Sequence, residues 1–202
     1  LGPDHPDVAA NIYLLGTLYL ARSDYDSAEA LLKRALTIFK KYLGPDNPNV
    51  AMCLNNLGTL YKKRGDYDSA KSLLKRALAI FEKAKGPDHP DVAVSLSNLA
   101  TLYHTLGDYD SAEPLYKREL VIREKVRGPN DTAVAICLNN LGDLYQARGD
   151  FDSAEPLHKR ALAIYEKSLG PNHPDVAECL ENLARIYRAT KRISEANALE
   201  KR

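Results

Sequence analysis

The sequence predicts an all-α fold, a right-handed superhelical solenoid of five helical hairpins. Three observations carry that prediction. The first is a repeat. "LGPDHPDVA" opens the chain and returns as "LGPDNPNVA" at Leu43, "KGPDHPDVA" at Lys85, "RGPNDTAVA" at Arg127 and "LGPNHPDVA" at Leu169. Its glycines stand at 2, 44, 86, 128 and 170, each 42 residues after the last, with no insertion or deletion. A period of this length marks units that pack on their neighbours. The second is that each unit holds two stretches of helical periodicity. The third is that the apolar surface of the second stretch is wider than one partner helix needs, so it must also meet the next unit. The repeats run 1–42, 43–84, 85–126, 127–168 and 169–202, and read as one array.

The second repeat justifies the elements in order. Pro48 suits the first turn of a helix, where its missing N–H costs nothing. Val50, Leu54, Leu57, Gly58 and Tyr61 then fall on one helical face, and Gly65 suits the left-handed position that ends a helix. This first helix is expected over 48–64. After the short turn in "RGDYD", an aspartate caps the second helix. "DSAEP" in repeats 3 and 4 places Pro114 and Pro156 near its start, where proline is tolerated only in the first turn. That points to Asp110 and Asp152 as caps, with Glu113 and Glu155 closing capping boxes. Ala70, Leu73, Leu74, Ala77, Leu78, Ile80 and Phe81 form the broad apolar surface. "KGP" ends the helix, with Lys85 favourable at its negative end. Leu1 matches Leu43 and Leu169, which implies a repeat upstream. In "RISEANALEKR" only Ile193, Ala196 and Leu199 form an apolar stripe, as expected of a terminal cap.

Composition narrows the function. Lys+Arg 28 against Asp+Glu 27 leaves a formal charge of +1, a poor match to nucleic acid, which rewards clustered positive charge. No apolar run approaches the roughly 18 residues that cross a bilayer. Cys53, Cys137 and Cys179 share one repeat position. Packed neighbours lie about 10 Å apart, whereas a disulfide needs Cα atoms within about 7 Å. They read as small half-buried thiols of a reducing, cytoplasmic compartment. No catalytic, metal or cofactor constellation is visible. His5, His89 and His173 sit one per repeat in "HP" loops, His158 replaces Leu74 and Tyr116 at a packing position, and the "DYD" carboxylates are caps.

The repeat resembles the tetratricopeptide repeat along the whole chain. That family places a small residue midway in the first helix, here Gly16, Gly58, Ala100, Gly142 and Ala184. An aromatic follows three residues later, here Tyr19, Tyr61, Tyr103, Tyr145 and Tyr187. Alanine stands early in the second helix at Ala28, Ala70, Ala112, Ala154 and Ala196, and again seven residues on at Ala35, Ala77 and Ala161. The third repeat departs with Glu119, where the joint bends or the carboxylate reaches solvent. Units of this family usually have about 34 residues, and the longer repeat is similar to the kinesin light chain type.

The resemblance implies a non-enzymatic module that binds a protein or peptide in a concave groove lined by the first helices, without cofactor or metal. The face opposite Val50, Leu54 and Tyr61 holds Met52, Asn55, Asn56, Thr59 and Lys63. Asparagine is a mediocre interior helix residue, yet Asn56 recurs as Asn98, Asn140 and Asn182. An amide with a donor and an acceptor suits an extended peptide main chain. Lys62, Thr101, His104, Asn139, Asp143 and Arg185 complete the expected groove. The cations of carboxylate-clamping relatives are missing from the matching positions. Two alternatives stay open: the amides bond neighbouring helices and set repeat geometry, or the array is a spacer or a segment that self-associates weakly through its repeat ends.

Overall fold

The structure, a computed structural model, describes Gly2 and residues 5–201. Among them are ten helices and no strand. They are α1 (Pro6–Ala21), α2 (Tyr25–Leu43), α3 (Pro48–Arg64), α4 (Tyr67–Lys85), α5 (Pro90–Thr105), α6 (Tyr109–Arg127), α7 (Thr132–Ala147), α8 (Phe151–Leu169), α9 (Pro174–Ala189) and α10 (Ile193–Leu199). Consecutive pairs are the five hairpins of an all-α solenoid, and the helix expected over 48–64 is α3. The upstream repeat inferred from Leu1 concerns a residue outside the described ones. The chain divides into two compact units, Leu1–Leu102 and Tyr103–Arg202.

Helix ends follow the repeat. Asn47 and Asp131 accept hydrogen bonds from the backbone N–H two residues on, at 2.9 and 2.8 Å. The "HP" histidines do the same through Nδ1: His5 to Asp7 at 3.2 Å, His89 to Asp91 at 3.1 Å and His173 to Asp175 at 3.3 Å. They are helix caps, with Nδ1 unprotonated to accept. Gly65 adopts φ 82° and ψ 5°, the left-handed turn expected of it.

Helices α2, α4, α6 and α8 are capped two residues earlier than the prolines suggested. Asp24, Asp66, Asp108 and Asp150 accept from Ser27, Ser69, Ser111 and Ser153 N–H at 3.1–3.2 Å. Asp110 and Asp152 instead lie inside the first turn, where a negative charge suits the helix dipole, and Pro114 and Pro156 stand inside α6 and α8. Asp110 and Pro114 are both exposed, so solvent can take the carbonyl that proline leaves unbonded.

Glu113 and Glu155 close no capping box, because they reach forward to the next repeat. Glu113 accepts from Tyr145 Oη at 2.8 Å and Arg148 Nη1 at 2.7 Å. Glu155 accepts from Tyr187 and from Arg192. Glu29 does the same with Tyr61 and Arg64, both at 2.6 Å. At the corresponding positions the sequence has Lys71 in repeat 2 and Leu106 in repeat 3, and the division into two units falls within that third repeat.

Close approach between paired helices explains the small residues. A Cβ at Gly58 would lie 2.7 Å from Leu74 Cγ, and one at Gly142 would lie 2.6 Å from His158 Nε2. Glu119, in the alanine register, does not reach solvent: it is fully buried. Its Oε1 accepts from Arg123 Nε at 2.8 Å, and Oε2 has no partner among the described residues. Arg123 stands in the register of Phe39, Phe81 and Tyr165, so repeat 3 replaces an alanine–aromatic pair with a carboxylate–guanidinium pair. In the last helix Ala196 is buried, but Ile193 is exposed. The expected stripe reduces to Ala196 and partly buried Leu199.

Two stability outcomes follow from this packing. Gly142→Leu should overpack the His158 contact and cost about 1–3 kcal/mol in a urea titration. Arg123→Phe leaves Glu119 buried without its cation and should cost about 3–5 kcal/mol, whereas Glu119→Ala with Arg123→Phe should match or exceed the parent stability. A double variant less stable than Arg123→Phe alone would contradict the pairing.

Candidate functional site

The odd-numbered helices carry the open faces. On unit Leu1–Leu102, residues of α1, α3 and α5 line a depression of about 170 Å³ that includes Tyr13, Met52, Asn55, Asn56, Asp91 and Asn98. Asn56 is half-buried, and its Nδ2 donates to Tyr13 Oη at 3.0 Å. Burial pushes the Tyr13 phenol up, against the hydrogen bond from Asn56. Asn98, also half-buried, makes no side-chain hydrogen bond among the described residues. Thr59 and Lys62 are half-buried and Lys63 is exposed. Burial, and then the charge of Lys63, lowers the Lys62 ammonium. Thr101 is half-buried, with its hydroxyl donating to Ser97 O at 2.7 Å.

On unit Tyr103–Arg202 a depression of about 410 Å³ is lined by His104, Asp143, Gln146, Glu178, Asn182 and Arg185. Asn182 Nδ2 donates to Asp143 Oδ1 at 3.1 Å, and Arg185 donates to Asn182 Oδ1. Asn140 is half-buried and, like Asn98, has no side-chain partner among the described residues. Burial lowers His104, so its imidazole is neutral at physiological pH.

Three expected groove residues are nearly closed off from solvent, although Asn55 and Asn182 edge the depressions. Asn55 and Asn139 are each 6% exposed and Asn182 is 2% exposed. The reason is that the helix side opposite the leucine face also meets the adjoining repeat. Asn55 Nδ2 donates to Ser95 Oγ at 2.7 Å. One repeat pair later in register, Asn139 Oδ1 accepts from Cys179 Sγ at 3.3 Å and faces His158 Nδ1 at 3.2 Å. Ser95 stands at the cysteine position, so Ser or Cys there answers an asparagine 40 residues earlier. The two columns do not vary together, since Cys53 and Cys137 stand opposite Tyr13 and Ser97, so the sequence carried no signal of this pairing. The cysteines themselves are fully buried and free, not half-buried. Burial raises the Cys53 and Cys179 thiols to about 12 and about 11.

His158 and Asp143 are the second coupled change. Histidine replaces Leu32, Leu74 and Tyr116, and Asp143 replaces Thr17, Thr59 and Thr101. His158 Nε2 lies 3.7 Å from Asp143 Oδ1 and is otherwise unpartnered. Burial, assisted by Arg185, pushes His158 down to about 4. Burial, assisted by Glu178 and opposed by Arg185, pushes Asp143 up to about 6. Among the described residues no three metal-binding side chains come together, and no helix is long and apolar enough to cross a membrane.

Stacked helical hairpins with a polar open face define the class of repeat scaffolds that bind proteins. The tetratricopeptide repeat family matches residues 8–83, 63–125, 106–167 and 134–202, and the chain belongs to it. Its repeats are of the kinesin light chain-like type. The crystal structure of BtubC (BKLC) from P. vanneervenii is similar, with 29% identity, a TM-score of 0.85, and coverage of 96% of this chain and 77% of that one. A kinesin light chain protein of Podosopora anserina with nearly identical TPR-like repeats has 26% identity and a TM-score of 0.82, covering 98% and 93%. Apo RapI shares the fold at 17% identity, with a TM-score of 0.80 over 95% of this chain and 67% of that one. No curated protein matches the chain. Repeats of this family generally mediate protein–protein interaction without catalysis, and the chain is such a scaffold in kind.

The opposed shifts of His158 and Asp143 have a measurable consequence. A histidine whose folded pKa falls from 6.5 to about 4 makes stability drop as pH falls through that window. An aspartate raised from 3.8 to about 6 makes stability drop as pH rises through nearly the same window. The two slopes cancel in the parent. His158→Leu should expose the aspartate slope, with stability declining from pH 4 to pH 6, and Asp143→Thr should expose the opposite one. Denaturant titrations across this range check both signs.

Proposed function

We propose that the chain is an adaptor that grips extended segments of partner proteins on the open faces of its odd-numbered helices. The observation that carries this is the pair Asn98 and Asn140. Both occupy the recurring asparagine register, both are half-buried, and neither has a side-chain partner among the described residues. A desolvated amide with an unused donor and acceptor matches the N–H and C=O of one extended residue. Asn56 and Asn182 extend the register, although their Nδ2 atoms already bond Tyr13 and Asp143.

Around these amides the two units differ in charge. Thr59, Lys62, Lys63 and Thr101 flank the register on the first unit, and His104, Asp143 and Arg185 flank it on the second. Fixed amides supply a general grip, and the variable neighbours supply sequence choice. Asn55 and Asn139 act through geometry, since both are tied between repeats. The chain needs no cofactor or metal for this work. Three free, buried thiols support a reducing, cytoplasmic setting.

The test is a titration of a peptide selected from an array, run on the parent and on Asn98→Ala with Asn140→Ala. Each net hydrogen bond is worth about 1 kcal/mol, so affinity on the order of micromolar should fall about tenfold or more. Melting curves should coincide, because neither amide is bonded within the fold. Equal affinities would overturn this reading and favour a spacer.

A further inference from the structure

We propose that the depression on unit Tyr103–Arg202 receives a cationic side chain, lysine or arginine, from the bound segment, with Asp143 and Glu178 as its counter-charges. This rests on the peptide-binding reading above and names what one end of the peptide must carry.

The lining offers the carboxylates of Asp143 and Glu178 and the amide of Gln146. Gln146 Oε1 is buried with no partner among the described residues. Asp143 accepts one side-chain hydrogen bond among the described residues, from Asn182 to Oδ1. The cation of the lining, Arg185, already donates to Asn182 Oδ1. His104 is kept neutral by burial. Two carboxylates therefore stand against one guanidinium, and the occupant that balances the lining brings positive charge along with its donors. Lysine brings three N–H groups and arginine five.

A second observation points the same way from behind the wall. His158 is completely buried, and its Nδ1 faces the oxygen of Asn139, which can only accept. The proton is therefore on Nδ1, and Nε2 presents a bare lone pair 3.7 Å from Asp143 Oδ1. Nothing on that side can donate to the aspartate. A carboxylate drawn partly out of water beside other negative charge carries a cost unless a cation pairs it. Asp143 shows this cost, being pushed up to about 6 by burial and then by Glu178.

The acids are also particular to this joint. Asp143 replaces threonine of three other repeats, and Glu178 stands in register with Ala10, Met52, Val94 and Ile136. The scaffold folds without either acid in those repeats, so both are dispensable for packing. An anionic occupant would meet two carboxylates with one committed guanidinium against them, which the charge balance disfavours.

The experiment uses the whole chain labelled with ¹⁵N and two probes, N-acetyl-arginine methylamide and its neutral near-isostere N-acetyl-citrulline methylamide. The arginine probe should shift amide resonances at Asp143, Gln146, Glu178 and Asn182, and citrulline should bind at least about tenfold more weakly. Asp143→Thr, which restores the residue of three other repeats, should abolish that preference while the spectrum stays folded. Lowering pH through about 6 should weaken the arginine probe as Asp143 takes up its proton. Glu178 and Arg185 of α9, His158 of α8 and His104 of α5 face the aspartate, and both histidines are held below their ordinary pKa by burial. Equal response to both probes, or an arginine response unchanged by Asp143→Thr, overturns the proposal. Array peptides that keep their affinity when each lysine and arginine becomes glutamine overturn it too, yet leave the groove reading standing. Arginine bound at these residues with no peptide bound anywhere supports the cation site and overturns the groove reading.

Discussion

The leucine face of each hairpin is buried only against the hairpin beside it, and the rest of the structure depends on that burial. Leu57, Leu99, Leu141 and Leu183 are 1–3% exposed, and Leu60, Leu102, Leu144 and Ile186 are fully covered. In α1 the same two positions, Leu15 and Leu18, are 43% and 49% exposed, with no hairpin among the described residues packed over them. Full burial of one such side chain is worth about 1.5–3 kcal/mol, which a lone hairpin forfeits. This explains the constant period. One inserted residue turns a helix by about 100° and carries both leucines off the contact at once.

A register that cannot slip forces every polar intrusion to be satisfied where it occurs. Glu119 enters the alanine column, and Arg123 enters the aromatic column four residues on, one helical turn away. Asn55 is answered by Ser95, and Asn139 by Cys179 and His158. The compensation is partial. Asn55 Oδ1, Glu119 Oε2 and His158 Nε2 remain buried without partners among the described residues. The repeats therefore share a frame but not a stability, and the polar joints carry desolvation that the leucine faces offset. The glutamate–tyrosine–arginine clamps work outside that frame. They cross between repeats on the half-exposed edge, and they can vary without disturbing the core.

The sequence made the frame legible because period, helix ends and close-approach residues are local or periodic. α3 occupies the predicted 48–64, and the glycine and alanine column marks real contacts. The cap of the even-numbered helices was misread because proline was weighed as a first-turn residue, while the exposed start of α6 tolerates it deeper. Asn55, Asn139 and Asn182 were misread as open for a different reason. A single helix shows two faces, whereas a helix in an array has neighbours on both sides as well as its hairpin partner. Burial of those side positions is decided by residues about 40 positions away.

The same pairing governs which amides of the open face remain unused. Asn56 meets Tyr13 of the preceding repeat, whose hydroxyl takes its Nδ2, and Asn182 meets Asp143. Asn98 has Asn55 in the column of Tyr13, and Asn55 is turned inward to Ser95. Nothing in the preceding helix then takes up Asn98. An identical asparagine is thus scaffold in one repeat and unused in another, according to one residue in the repeat before it. Repetition makes this cheap to alter: the frame tolerates exchange in that column, and each exchange ties or frees one amide without moving a helix. Binding capacity in such an array is set by pairs of columns, and the asparagine column by itself does not reveal it.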